Sequence, residues 1–216
     1  MRTIAIGDIH GCRASLETLA RFANFGSGDT IITLGDVVNR GPDSKGVIEV
    51  LLNLSRTSKL IPLKGNHEIM LLQVELVLGD QRDSAGDGDF RMESIKAMPE
   101  AHVAFIRSFL PYHETSTHIF VHASVLPEIP MDAQTEFTLF WEEFANRGPH
   151  VSGKTVVCGH TPQLSGEPLD FGHSVCIDTF AHGGGWLTAL DVDRRIYWQA
   201  NEARDTRMDV LEPLPE

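Results

Sequence analysis

Thr30-Ile31-Ile32-Thr33-Leu34-Gly35-Asp36-Val37-Val38-Asn39-Arg40-Gly41-Pro42 sets an apolar run against a glycine, a carboxylate and a guanidinium within one short stretch. A short apolar run closed by glycine reads as a buried strand followed by a sharp turn. The same punctuation follows Thr3–Ile6, where Gly7-Asp8-Ile9-His10-Gly11 begins, and Leu60–Leu63, where Gly65-Asn66-His67-Glu68 follows. Helical patterns lie between and after these runs, at Ala14–Phe25, Ser44–Leu54 and His67–Leu78, with Pro42-Asp43-Ser44 a fair helix start. Strand and helix alternate, so the first half predicts parallel βαβ units. Further runs at Ile119–Val121, Thr155–Cys158, Ser174–Ile177 and Trp186–Leu190 lie closer together and suggest hairpin-like pairing. The expected fold class is α/β, with a mixed sheet or two packed sheets and helices outside.

Composition narrows the partners. The 216 residues carry 18 Lys and Arg against 30 Asp and Glu, a net charge of −12. A grip on a nucleic-acid polymer or an anionic membrane needs a basic surface, so a small or phosphorylated partner fits better. Cys12, Cys158 and Cys176 are far apart without a CxxC pair, which indicates neither a disulfide framework nor a thiolate zinc site. A reducing cytoplasm is the expectation, since Asp8 and His10 interrupt any N-terminal apolar stretch and no run reaches membrane-spanning length. One catalytic domain over 1–200 is expected, with an acidic, Pro-containing tail at 201–216 compatible with disorder. Gly79–Phe90 is Gly- and Asp-rich and reads as a surface loop; it lacks the closing Glu of a calcium loop.

In an open α/β sheet the carboxyl ends of strands converge on one crevice, so the three punctuated loops can deliver side chains to one point. Asp8 and His10, one residue apart, offer a hard oxygen and an imidazole to a divalent cation. Asp36 can bridge to a second cation, and Asn66 adds a neutral amide oxygen. His122 and His160 each follow an apolar run and suit further imidazole ligands. A cap or turn role would explain Asp8 or Asp36 alone, but not all the strand ends together. His102, His113, His118, His150 and His173 are read as structural or surface imidazoles.

The ordered set Gly7-Asp8-Ile9-His10-Gly11, Gly35-Asp36-Val37-Val38-Asn39-Arg40-Gly41, Gly65-Asn66-His67-Glu68, His122 and Gly159-His160-Thr161 resembles the phosphoprotein phosphatase branch of the calcineurin-like metallophosphoesterases. The resemblance runs from Ile4 to about Leu190 and includes Ile177-Asp178-Thr179 and Leu187-Thr188-Ala189-Leu190, which are similar to the end of the compact bacterial members. It implies a β-sandwich of two mixed sheets flanked by helices. It implies two divalent ions, manganese by expectation with Fe, Zn, Co or Ni also admitted by these donors. Asp8, His10 and Asp36 would hold one ion and Asp36, Asn66, His122 and His160 the other. Arg40 and Asn66 would contact phosphate, and His67 would be the general acid. In that mechanism the two cations acidify a bridging water, the hydroxide attacks phosphorus directly, and no covalent phosphoenzyme forms.

Several positions depart from the family pattern. Asn39 stands where the protein phosphatases usually have an Asp that orients the acid His; Asn can orient it but offers less charge stabilisation. Where Trp-x-Arg usually supplies a second phosphate ligand, this chain has Trp141-Glu142-Glu143-Phe144. Arg147 could substitute, though a surface role is favoured. Ser124 replaces a usual Gly, and His182 either lines the site mouth or decorates a turn, with the turn favoured. The predicted function is a phosphomonoesterase for phosphoserine or phosphothreonine in proteins, with a small phosphoester substrate also open. Asn39-Arg40-Gly41-Pro42 also resembles the dinucleoside polyphosphate hydrolases, which is the alternative. A phosphoprotein-binding module with weak activity is the third possibility. Oligomeric state is not specified.

Overall fold

A computed structural model describes residues 2–78 and 98–212. Gly79–Phe90 falls outside the described residues. Two mixed sheets are present. The first orders its six strands β11-β10-β9-β1-β2-β3, from β1 (Arg2–Ile6), β2 (Asp29–Thr33), β3 (Lys59–Pro62), β9 (Leu187–Asp191), β10 (Ile196–Ala200) and β11 (Thr206–Val210). The second orders five strands β4-β5-β6-β8-β7, from β4 (Tyr112–Glu114), β5 (His118–Val121), β6 (Thr155–Cys158), β7 (Leu169–Asp170) and β8 (Ser174–Cys176). Among the described residues the helices are α1 (Arg13–Phe22), α2 (Ser44–Thr57), α3 (Asn66–Leu78), α4 (Glu100–Arg107) and α5 (Glu136–Trp141).

Strand alternation distributes the core over three layers, because successive side chains point to opposite faces. Ile4 and Ile6 of β1 and Ile31 of β2 face Leu16 and Leu19 of α1, Val47, Ile48 and Leu51 of α2, and Val103 and Ile106 of α4. Ala5 and Ile32 face the other way, toward Phe120, Val157 and Val175 of the second sheet. The outer face of that sheet, with Ile119, Val121, Val156 and Cys158, is covered by Met131, Leu139 and Phe140. The two sheets therefore form a sandwich with helices outside, as the sequence predicts.

Pairing differs from expectation in the second half. The C-terminal strands β9, β10 and β11 are antiparallel neighbours, but β5, β6 and β8 run parallel. Two sets of three parallel strands thus share the molecule: β1, β2 and β3 in one sheet, β5, β6 and β8 in the other. The tail expected to be compatible with disorder also contains structure, since residues 206–210 pair with β10 along their whole length. Its approach is anchored at the far end of the chain: Glu202 Oε1 accepts the Ser15 N–H at 2.9 Å and the Ser15 hydroxyl at 3.0 Å. That supplies the first turn of α1 with the acceptor that Cys12 does not provide. No described helix is long and apolar enough to cross a membrane.

Candidate active site

Each parallel strand delivers chemistry from its carboxyl end. Asp8 and His10 follow β1, Asp36, Asn39 and Arg40 follow β2, and Asn66 and His67 follow β3; His122 follows β5, His160 follows β6 and Asp178 follows β8. These ends meet across the top of the sandwich, at the place where open α/β sheets bind ligands. Six non-glycine residues of this rim have left-handed backbones: His10 (φ 46°), Asp36 (48°), Asn39 (67°), Arg40 (63°), His160 (63°) and Phe180 (63°). Elsewhere in the described chain only Asn24, Arg195 and Arg204 do so. Backbone strain concentrated this way persists only where surrounding structure over-determines it, and it clusters at functional sites.

Asp36 lies at the centre. Its Oδ2 is 3.5 Å from His10 Nε2 and 3.9 Å from His67 Nε2, and its Oδ1 is 3.5 Å from His122 Nε2. Asp8 Oδ2 is 4.0 Å from His10 Nε2, and Asp8 Oδ1 accepts the His160 N–H at 3.0 Å. Two groups of candidate ligand atoms come together within 4.8 Å: His10, Asp36 and His67, and Asp36, His122 and His160. The loops can approach so closely because Gly65 has no side chain; a Cβ there would sit 2.1 Å from Asp36 Oδ1.

The imidazoles are oriented from behind. His10 Nδ1 lies 3.1 Å from the Val38 carbonyl and His122 Nδ1 2.9 Å from the Leu34 carbonyl. A carbonyl can only accept, so Nδ1 carries the proton in both and each Nε2 turns a lone pair toward Asp36. His160 Nε2 is 3.3 Å from the Trp141 carbonyl, which leaves Nδ1 as its free donor of electrons. Asn66 completes the picture. The end of its amide that faces the site is 3.1 and 3.0 Å from the two Asp36 oxygens and 3.1 Å from His122 Nε2; the amide nitrogen there donates to all three, and the amide turned over adds its oxygen to the candidate ligand atoms.

Electrostatics agree with that fit. Burial pushes the Asp36 carboxyl up to about 7, and burial together with Asp178 and Asp36 raises Asp8 well above the usual carboxylate range. Burial lowers His122 and His160 to about 4 and His67 to about 3, the last also through the Arg40 guanidinium. Buried carboxylates want a positive charge and buried imidazoles want none of their own, so bound divalent cations satisfy both.

Chain positions with no assigned role in the sequence also contribute. Glu68, completely buried, accepts N–H groups from Asp36 (2.8 Å), Val37 (2.9 Å), Val38 (3.3 Å) and Gly65 (2.8 Å). It caps its own helix and clamps the β2 loop with one carboxylate. Asp178 is buried beside Asp8 and accepts the Phe180 N–H at 3.0 Å. Its position after an apolar run was the available signal. His182 corrects an expectation: it lies in a tight turn, but its ring also packs on His10 at 4.5 Å and its Nε2 is 3.1 Å from Arg40 Nη1, so it lines the mouth. Burial lowers His182 to about 4. Asn39 Nδ2 is 3.4 Å from His67 Nδ1. Arg147 is exposed and bound to Glu142 at 2.7 Å, while Glu143, in the place of the expected second arginine, adds negative charge near His160.

Residues 1–197 match the family model described as calcineurin-like phosphoesterase. The chain belongs to this family. A serine/threonine-protein phosphatase 1 of Salmonella typhimurium (strain LT2) is 32% identical over 197 residues, covering 85% of this chain and 88% of the relative. A symmetrical bis(5'-nucleosyl)-tetraphosphatase of Acidovorax sp. (strain JS42) is 33% identical over 139 residues, but the match spans 59% of this chain and only 46% of the relative. Among solved structures, one provisionally described as a diadenosine tetraphosphatase superposes with a TM-score of 0.73 at 24% identity, covering 97% of this chain and 93% of the other. The calcineurin-like fold is thus shown, the chain is a phosphoesterase, and the family implies divalent metal ions for which the His and Asp groups above are suited.

Proposed function

We propose that this phosphoesterase hydrolyses phosphomonoesters, phosphoserine and phosphothreonine of proteins in the first place, with two divalent ions, manganese by preference. The observation that carries the reading is the shared Asp36: its two oxygens face His10 and His67 on one side and His122 on the other, within two adjoining ligand groups. Asp8, His10 and Asp36 would hold one ion, and Asp36, Asn66, His122 and His160 the second. When bound, such ions supply Lewis-acid activation of water and neutralise phosphoryl oxygens.

The chain's own residues do the rest. Arg40 presents a planar fork suited to two phosphoryl oxygens. Asn66 keeps one amide edge within the same space. His67 Nε2 faces the site interior, 3.9 Å from Asp36 Oδ2, and Asn39 lies beside Nδ1 at 3.4 Å. As an imidazolium, with the Asn39 amide oxygen accepting from Nδ1, His67 would pass its Nε2 proton to the leaving oxygen and return to the neutral ring. Asp8, His10, Asp36, His67 and His122 are buried and His160 is half-buried, which shields the cluster from much of the bulk water.

Among the sequence relatives, protein substrates are favoured by the match that spans most of both chains, since the tetraphosphatase sequence match leaves more than half of that enzyme without a counterpart; the solved structure of matching length, at 24% identity, bears on the fold alone. Hydrolysis of a symmetrical dinucleoside tetraphosphate is the second reading, supported by that local match. One manganese-loaded preparation assayed on phosphoserine and phosphothreonine peptides and on diadenosine tetraphosphate, with metal analysis, separates them. Phosphate release from peptides at a kcat/KM well above that for the dinucleotide supports the first. Nucleoside diphosphate as the dominant product overturns it.

A further inference from the structure

We propose that His182 is a positioning residue, holding the Arg40 guanidinium over the site through a neutral imidazole so that its charge stays available to the phosphoryl group. The proposal rests on the reading of this rim as a phosphoester site. Arg40 is exposed, carried on a left-handed backbone next to another left-handed residue, Asn39, and among the described residues it forms no ion pair. A long, mobile side chain in that setting needs an anchor to present its fork in one direction. A carboxylate anchor would neutralise it and compete with phosphate.

His182 supplies an anchor of another kind. Its Nε2 is 3.1 Å from Arg40 Nη1, across 142 positions of sequence. Guanidinium nitrogens only donate, so Nε2 must accept, which places the imidazole proton on Nδ1 and leaves the ring uncharged. The ring is itself fixed on two sides, edge-to-face against His10 at 4.5 Å and Phe180 at 4.9 Å. The turn that carries it is built for that purpose at some cost: Phe180 adopts φ 63°, ψ 42°, a left-handed conformation for a bulky residue. Gly183 leaves room for the Phe180 ring, whose atoms would lie 2.0 Å from a Cβ there. Asp178 Oδ1 secures the start of the turn through the Phe180 N–H. A turn that merely reversed the chain would need neither the strained aromatic nor its contact with a residue of the β2 loop.

The test is a double-mutant cycle on the metal-loaded protein with p-nitrophenyl phosphate. His182→Ala is expected to lower kcat/KM about tenfold in the wild-type background and less than about twofold in the Arg40→Ala background, because its partner is then absent. His182→Gln keeps an acceptor at a similar reach and should recover most of the loss. His182→Phe keeps the ring packing without an acceptor and should not. Additive effects of His182→Ala and Arg40→Ala, or recovery by Phe and not by Gln, overturn the proposal. The same cycle read by calorimetric titration with inorganic phosphate needs no turnover. An inert wild type would therefore overturn the proposed activity, while coupling or its absence in phosphate binding still decides the role of His182.

Discussion

The Glu68 carboxylate accepts the Asp36 backbone N–H at 2.8 Å, from the first turn of a helix that begins 30 residues after Asp36. Three further N–H groups, from Val37, Val38 and Gly65, meet the same carboxylate. One buried carboxyl group therefore fixes the loop that carries Asp36, Asn39 and Arg40 against the loop that carries Asn66 and His67.

Removing that carboxyl group should be costly. Each buried donor left without an acceptor costs about 1–3 kcal/mol, so Glu68→Ala is expected to lose about 3 kcal/mol or more, even after some relaxation. Metal affinity should fall with it, because two ligand-bearing loops lose their common brace. Urea unfolding and metal titration measure both. A loss under about 1 kcal/mol would show that the N–H groups find other acceptors.

Asn39 faces His67 Nδ1 at 3.4 Å with an amide, where a carboxylate would stabilise the imidazolium. Burial and Arg40 hold His67 far below its ordinary value, so at neutral pH its protonated, acidic form is scarcely populated. Asn39→Asp should raise the His67 pKa and keep the protonated form available to higher pH. The alkaline limb of the pH–rate profile for phosphoserine, a poor leaving group, should then move upward, with little change for p-nitrophenyl phosphate. Equal behaviour of the two substrates would remove Asn39 from any role in proton delivery.

How much of this was legible in the sequence follows from burial. Asp8, His10, Asp36, Asn66, His122 and His160 each follow a buried apolar run, so strand periodicity pointed straight at them. Glu68 did not reveal its role, because four backbone donors from two loops leave no mark in residue order. His182 stayed ambiguous because its partner is distant in sequence. Short or exposed elements were missed for another reason: β7 has two residues, and four of the five residues of β11 are exposed. In β10, buried Gln199 interrupts the apolar pattern, although it is satisfied by the Gly166 carbonyl and Thr188 Oγ1.

Glu202 is the case where a tail residue acts on the fold. Its Oε1 serves the Ser15 N–H and hydroxyl in the first turn of α1, where no local side chain caps. Loss of such a cap typically costs about 1 kcal/mol. Glu202→Ala should lower stability by about that amount while kcat and KM stay within experimental error, since the contact lies away from the rim. Thermal denaturation and steady-state assays check the pair of expectations; unchanged stability would mean that water caps the helix equally well.

Glu143 tests whether more positive charge at the mouth, beside that of Arg40, strengthens binding. It is exposed and adds negative charge near His160. Reversing that charge with Glu143→Arg should lower KM for a dianionic monoester, by about threefold to tenfold at low salt, and the gain should shrink as ionic strength rises. A KM indifferent to the substitution at every salt concentration would place this side chain outside the reach of the substrate.

Metal uptake should depend on pH in a direction set by Asp36. In the metal-free protein its carboxyl is raised to about 7, so below neutrality the folded site holds a proton that a cation must displace. The unfolded chain releases that proton near the ordinary value of 3.8, so the raised pKa by itself favours the metal-free fold at low pH, and this contribution is lost as pH rises toward about 7. A bound cation reverses the balance: it stabilises the carboxylate form, and its benefit grows as protons cease to compete. The rise in melting temperature on adding manganese should therefore be larger at pH 7.5 than at pH 5.5, by several degrees, and calorimetry in buffers of different ionisation enthalpy should detect proton release at the lower pH. His122 and His160, lowered to about 4, are already neutral over this interval and add little to the difference. A manganese-induced shift that is the same at both pH values would mean that Asp36 is not among the atoms holding the ion.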